Sequence, residues 1–166
     1  MVNCSTVHPD QYEKEVFDDV FTSIVELTYK DLRIYSNPPS RGQENDPEFI
    51  KQIKYLKSDT LALVIAVDHD GNINFQKYSN RKFIFKNLDE IAKEDWMLNY
   101  QTWKSKYNKF IGALLFSKIK FNNEKNKGII EVQYSCGGNC GLGYEVHIKK
   151  LKNKWIVDKV EETSIS

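Results

Sequence analysis

Two closely spaced cysteines, Cys136 and Cys140, are the residues in this 166-residue chain whose spacing most clearly suggests chemistry. A thioredoxin-type redox site has two residues between its cysteines and lies at a helix start, where the dipole lowers the thiol pKa. A structural zinc site needs four ligands, and only these two are local. Because the intervening Gly137, Gly138 and Asn139 favour a turn between two strands, we interpret the segment as a β-hairpin.

The strands on either side of this hairpin alternate apolar and polar residues, and the alternation fixes a register. With residues 137–139 as the loop, Cys136 lies opposite Cys140 on the core-facing side, together with three further pairs: Tyr134 with Leu142, Val132 with Tyr144, and Ile130 with Val146. On the solvent-facing side Glu131 lies opposite Glu145, a mildly unfavourable like-charge pair. Directly opposed cysteines are close enough for a disulfide, which is favoured in an exported protein and disfavoured in a cytosolic one.

The remaining residues with chemical potential form no recognisable site in the sequence. Three histidines occur singly and are expected at the surface: His8, His69 and His147. The segment 68–72 superficially resembles a calcium loop but lacks its later acidic ligands, and a hairpin turn at Asp70–Gly71 explains it better. Ser117 has no nucleophile signature around it. We therefore predict no catalytic, cofactor-binding or metal-binding residue, and no cofactor.

Three tryptophans, Trp96, Trp103 and Trp155, are expected to anchor the core or its rim. A ligand pocket that they line, between helices and a sheet, is the alternative. Either arrangement requires helices packed on a sheet, and the rest of the sequence predicts both.

Three amphipathic helices are predicted before residue 100. Pro9 and the acids after it are typical of a helix start, and apolar residues at helical spacing extend this helix to about Leu32, where its stripe packs on a sheet. Asp46–Pro47–Glu48 opens a second, shorter helix after a polar loop, and its apolar side contains Phe49, Ile50, Ile53 and Leu56. Asn87 and Glu90 resemble a capping box for a third helix, from about Leu88 to Met97.

The predicted strands fall into two groups. Thr60 to Val67 is apolar on both faces, a return strand covers Asn72 to Tyr78, and a weaker strand lies at Lys82 to Phe85. From about Gly112 to Ser166 a period of two predicts a four-stranded antiparallel meander. The core face of its first strand contains Leu115, Ser117, Ile119 and Phe121. Its last strand follows a turn at 152–153 and continues the core face with Trp155 and Val157.

These elements predict an α+β fold, with N-terminal helices packed on a mostly antiparallel sheet that ends in the meander. Residues 9–166 form a single domain, and residues 1–8 are a disordered or lipid-tether segment. An apolar content of 40% suffices for a packed core, and no stretch is long and apolar enough to span a membrane. Residues 101–160 carry twelve lysines against four acids, which we interpret as a solvated sheet face that does not bind nucleic acid; a basic face for an anionic partner is the alternative.

Cys4 is interpreted in two ways. Residues 1–6 lack the charged and apolar regions of a signal peptide. Cys4 is therefore either the lipid-bearing cysteine of a bacterial lipoprotein, which follows such a peptide, or an ordinary cysteine in a frayed terminus.

Several motifs together give the chain a family resemblance. They are Leu27–Arg33 with Pro38–Pro39, Trp103 with Tyr107, Phe116–Ser117 with Phe121–Asn122, and, most specifically, Cys136-Gly137-x-x-Cys140-Gly141-x-Gly143 before Lys149–Lys150 and Lys154–Trp155. Through them the chain resembles a poorly characterised group of small exported proteins and lipoproteins of Bacteroidota. Residues 45–95 match little, and the terminal Trp-x-Ser of many members is replaced by Thr163–Ser166.

The resemblance implies export to the periplasm or cell envelope, and it favours a lipid on Cys4 and a disulfide between Cys136 and Cys140. It implies no known activity. The α+β layout is also similar, by analogy alone, to the cone-shaped fold of nuclear-transport-factor-like domains.

The function that these observations predict is that of a non-enzymatic exported binding protein, such as an immunity or inhibitor protein that masks a toxin or enzyme. Its partner is then a protein, and it contacts membrane only through a lipid anchor at Cys4. A cytoplasmic location stays open. The alternatives are a small-molecule-binding domain with a pocket between sheet and helices and, least favoured, an enzyme of unknown type.

Overall fold

The computed structural model of the chain describes residues 9–35, 42, 45–71, 73–88, 105–137 and 140–165. Cys4, His8, Trp96, Trp103 and the predicted third helix beyond Leu88 therefore lie outside the described residues, as do the side chains of Cys136 and Cys140. No helix in the described ranges has the length and apolar character needed to cross a membrane.

Three helices precede the sheet: α1 (Pro9–Thr28), α2 (Leu32–Tyr35) and α3 (Pro47–Ser58). The predicted first helix is thus interrupted, because Asp31 accepts a hydrogen bond from the Arg33 N–H and starts α2 as a separate turn. The predicted start of α3 is confirmed, since Asp46 accepts a hydrogen bond from the Glu48 N–H at 2.9 Å ahead of Pro47.

One mixed sheet carries the seven strands found in the described residues. They are β1 (Leu63–His69), β2 (Phe83–Asn87), β3 (Phe110–Phe116), β4 (Lys120–Phe121), β5 (Lys127–Gly137), β6 (Cys140–Leu151) and β7 (Lys154–Ile165). The order is β2-β1-β3-β5-β6-β7, with β4 paired to β5. β1 runs parallel to β2 and β3, whereas every later pair is antiparallel, so the α+β class and the meander are confirmed.

The predicted hairpin at Asp70–Gly71 is wrong. The chain after β1 forms a 3₁₀ turn at Phe75–Tyr78 and then enters β2, which is parallel to β1. Phe75 and Tyr78 stand three residues apart, a spacing that puts both on one side of a 3₁₀ turn. Phe75 is buried against Phe21, with the two ring centroids 4.8 Å apart, and this packing replaces strand pairing.

The core lies between α1 and one face of the sheet. The apolar stripe of α1 is buried there against one face of every long strand. The buried strand residues include Ile130, Val132, Tyr144 and Val146. Aromatic rings fill the part nearest β1 and β3, where Phe75 lies 5.6 Å from Phe17 and 5.9 Å from Phe116 between ring centroids. A smaller cluster covers the opposite face around Val64, Ala66 and Phe110.

The first strand of the meander differs from its prediction. β3 ends at Phe116, which is buried, whereas Leu115 and Ser117 are partly exposed, so the core face that the sequence assigned to those two residues is wrong. Ile119 is buried as predicted. Its N–H donates to the Glu13 carboxylate of α1 at 2.6 Å, which fills the gap in hydrogen bonding between β3 and β4.

The hairpin register is confirmed except at its tip. Ile130, Val132 and Tyr134 pair with the predicted residues of β6, and Glu131 lies opposite Glu145. At the tip, however, Gly137 pairs with Cys140, because a bulge between Ser135 and Gly137 takes Cys136 out of register. The direct opposition of the two cysteines is therefore wrong, and the disulfide between them stays a prediction.

Candidate functional site

One side of α3 carries apolar residues that the described part of the chain leaves partly or fully exposed. None of its described residues is buried, and Ile50 and Tyr55 are 50% and 64% exposed. A groove of about 340 Å³ runs along one side, with Phe49, Ile50 and Ile53 as its apolar floor. The predicted apolar side of α3 therefore exists, but it does not form core.

Lysines border this groove. Lys51, Lys54 and Lys57 recur every three residues along α3, and Lys54 and Lys57 line the groove beside Ile50. None of the three forms an ion pair with another described residue, whereas Lys120, Lys149 and Lys159 of the sheet each pair with a carboxylate. The exposed flank of α3 is consequently both apolar and positively charged.

The C-terminal end of α3 is fixed by a charge network. Asp59, which follows the helix, accepts hydrogen bonds from Lys109 and from the Arg33 guanidinium, the latter at 3.1 Å. Arg33 also contacts Asp31 at 2.6 Å and the Asp59 carbonyl at 2.8 Å. Hydrogen bonding to Lys109, and then to Arg33, holds the pKa of Asp59 below its usual range. The network holds one end of α3 while its flank stays open.

A buried histidine–carboxylate pair lies elsewhere, between α1 and the end of β1. The Nε2 of His69 is 3.5 Å from Glu13 Oε1, a long ion-pair contact rather than a full hydrogen bond. The His69 side chain is only 1% exposed, so the expectation that it lies at the surface is wrong. Its Nδ1 accepts the Gly71 N–H at 2.8 Å, which places the proton of the neutral ring on Nε2, facing Glu13.

This buried pair is suited to holding the fold together. Burial raises the pKa of Glu13, but the facing His69 imidazole and the hydrogen bond from the Ile119 N–H outweigh burial, so that the pKa lies below its usual value. Both nitrogens of His69 are directed at protein groups, and the ring packs against Phe17 at 5.2 Å between centroids. Neither group is presented to a solvent-borne substrate.

A second histidine–carboxylate cluster lies on the outer face of the meander, the face turned away from α1. The Nε2 of His147 is 2.9 Å from Glu145 Oε1 and 3.1 Å from Glu161 Oε2. Glu145 and His147 are two residues apart on β6, and Glu161 lies directly opposite Glu145 on β7. We call these three residues the Glu–His–Glu cluster.

The surroundings of the Glu–His–Glu cluster are densely charged. Lys120 pairs with Glu131, the next carboxylate in the same cross-strand row, and Lys159 pairs with Glu161. Lys159, and then His147, lower the pKa of Glu161 below its usual range. A shallow groove of about 420 Å³ adjoins the cluster, with His147 as one wall.

The sequence-predicted site residues are not brought together by the described structure. Trp155 is buried against Phe121 and Tyr12, as expected of a core anchor. It lines none of the grooves described above. Pocket lining by Trp96 and Trp103, and lipidation of Cys4, concern residues outside the described ranges.

Both histidine clusters were missed by sequence reasoning, although signals for each exist. Glu13 stands three residues before Val16 on the side of α1 that is buried, which marks it as a carboxylate needing a buried partner. His147 was correctly placed on the solvent-facing side of its strand, and Glu145 shares that side.

Comparison with family models, curated proteins and solved structures finds no match to this chain.

Proposed function

We propose that this chain is a non-enzymatic binding protein that docks α3 into an acid-rimmed apolar groove of a protein partner. The observation that carries the proposal is one exposed flank of α3, where Ile50 stands beside Lys54 and Lys57, neither of which forms an ion pair with another described residue. An amphipathic helix of this kind is recognised by its apolar anchors, and a lysine rim favours carboxylates on the partner.

The partner class that we favour is a toxin or enzyme that this chain masks, which makes it an immunity or inhibitor protein. A helix fixed at its C-terminal end by the Arg33–Asp59–Lys109 network can enter a cleft with little ordering of its own. The alternative of a small molecule held between sheet and helices has less support, because the described part of that interface is filled by aromatic rings.

Quantitative capture from the cells that produce the protein tests this proposal. The tagged full chain is expected to recover one protein in near-stoichiometric amount, and Ile50→Glu and Lys54→Glu are each expected to reduce that recovery about tenfold. Lys154→Glu, the same charge reversal at the exposed β6–β7 turn, serves as the matched control and retains it. The recovered protein is then purified, and its Kd for the four chains is measured.

The proposal fails if no protein is recovered stoichiometrically, or if the α3 variants and Lys154→Glu bind alike. Circular dichroism of each variant verifies that binding is not lost through unfolding.

Export to the cell envelope, with a lipid on Cys4 and a disulfide between Cys136 and Cys140, is proposed alongside this function. It is supported by the family resemblance of the C-terminal hairpin. Thiol titration of the denatured chain without reductant tests the disulfide, because a count of all three cysteines as free thiols contradicts it.

A further inference from the structure

We propose that the Glu–His–Glu cluster binds a divalent transition-metal ion, with Glu145, His147 and Glu161 as its three protein ligands. The inference goes beyond the proposed function and does not depend on α3. One ligand atom from each residue lies within 4.8 Å of the other two, which is close enough for a shared ion.

The distances within the cluster match those between ligands on one metal. Two ligands bound tetrahedrally to zinc with bonds of ~2.0 Å lie roughly 3.3 Å from each other. The His147 Nε2 is 2.9 Å from the Glu145 carboxylate and 3.1 Å from that of Glu161. The two carboxylate oxygens lie within 4.8 Å of each other, so an ion can enter as their side chains close around it.

Hydrogen bonding alone does not explain why two carboxylates converge on one nitrogen. Nε2 carries at most one proton in any protonation state of the ring, so it donates fully to only one carboxylate at a time. The other oxygen then faces the nitrogen without a proton of its own. A cation held by all three groups satisfies both contacts.

The sheet brings two like charges together at this point. Glu145 and Glu161 are a directly opposed cross-strand pair, an arrangement that is unfavourable without a neutralising charge. Lys159 pairs with Oε1 of Glu161 and leaves Oε2 facing His147, while Lys120 pairs with Glu131. Among the described residues, His147 is the ion-pair partner of Glu145, and the charge of Lys120 acts on Glu145 from beyond ion-pair distance.

The ligand chemistry indicates which metals fit. One imidazole with two carboxylates suits zinc, iron or manganese, whereas calcium and magnesium favour sites made of oxygen alone. The His147 side chain is 31% exposed, so an ion reaches the cluster from solvent, and a water or a partner's side chain can complete its coordination.

Metal titration of the full chain tests this inference, with Zn²⁺ followed by calorimetry and Co²⁺ by visible absorption. The wild type is expected to bind one ion at the cluster, and His147→Gln and Glu145→Gln are each expected to bind it at least about tenfold more weakly. Glu131→Gln is the matched control, because Glu131 lies in the same cross-strand row but pairs with Lys120. It is expected to bind as the wild type does.

Ions bound at cysteines are recognised separately, because cobalt–thiolate bonds give charge-transfer absorption that imidazole and carboxylate ligands do not. The inference is overturned if the wild type shows no saturable metal binding with a Kd below about 1 mM, which corresponds to a binding free energy of about −4 kcal/mol. It is equally overturned if His147→Gln binds like the wild type, in which case the cluster is an ion-pair network only. Denaturant unfolding of each variant confirms that it is folded.

Discussion

The two histidine–carboxylate clusters use the same residue types for different ends. Glu13 and His69 are sealed between α1 and the sheet, and their hydrogen bonds end on the backbone of Ile119 and Gly71. Glu145, His147 and Glu161 lie on the solvent-facing side of two long strands and contact one another through side chains alone. Burial and backbone contacts, rather than residue type, therefore separate a group that holds the fold together from one that is available to a ligand.

Removal of the buried carboxylate is expected to have the largest effect. Glu13→Ala leaves the Ile119 N–H without an acceptor at the gap between β3 and β4, and it leaves His69 beside an empty space. We expect the free energy of unfolding to fall by about 2–4 kcal/mol in a urea titration at pH 7.

Glu145→Ala is the matched control for that measurement, because it removes a carboxylate that also faces a histidine but makes its contact in the described structure with a side chain. Its cost is expected to stay within about 0.5 kcal/mol. Equal losses for the two variants would show that the burial difference does not decide the roles of the clusters.

Much of the fold that surrounds these clusters could be predicted from the sequence. The meander was predictable because β5 and β6 each bury one face. Apolar and polar residues therefore alternate along both strands, up to Tyr134 in β5 and from Tyr144 in β6, and this alternation fixes the strands and their register. The segment after β1 was not, because Asp70–Gly71 is a strong local turn signal, whereas the burial of Phe75 is decided by distant residues of α1 and β3.

The Glu–His–Glu cluster was only half predictable, and the reason is a bulge in β7. Near the β6–β7 turn Ile148 pairs with Val157, and that register, if continued, places Val160 opposite Glu145. The bulge at Asp158 shifts the pairing by one residue, so that Val160 packs against the core and Glu161 arrives beside Glu145. No period in the sequence marks this shift.

Removing only the charge of the buried carboxylate should lower the free energy of unfolding by a smaller amount, and that amount should depend on pH. The folded-state pKa of Glu13 is depressed below its unfolded value, so its contribution is complete above the unfolded pKa of about 4.3 and is lost as pH falls through the folded pKa. Glu13→Gln keeps an acceptor for the Ile119 N–H but removes the charge. It should cost about 1 kcal/mol at pH 7, the difference between a charged and a neutral hydrogen bond.

Urea titrations of wild type and Glu13→Gln at pH 7 and pH 3 measure this dependence. The difference between the two proteins should shrink at pH 3, which lies below the unfolded pKa of about 4.3, because unfolding of the wild type is then favoured by proton uptake that glutamine does not allow. A constant or widening difference would contradict a depressed pKa at Glu13.

The smallest effect is expected at the half-buried histidine, His147. With a chelator present, His147→Ala should change the free energy of unfolding by less than about 0.5 kcal/mol, because the side chain is solvated and its carboxylate neighbours can turn to water. His69→Ala, measured in parallel, should cost about 2–3 kcal/mol through lost packing against Phe17 and the lost acceptor for the Gly71 N–H. A large loss in the free energy of unfolding on His147→Ala in metal-free buffer would mean that the Glu–His–Glu cluster stabilises the sheet by itself. A metal ion would then no longer be needed to explain why two carboxylates converge on one imidazole nitrogen.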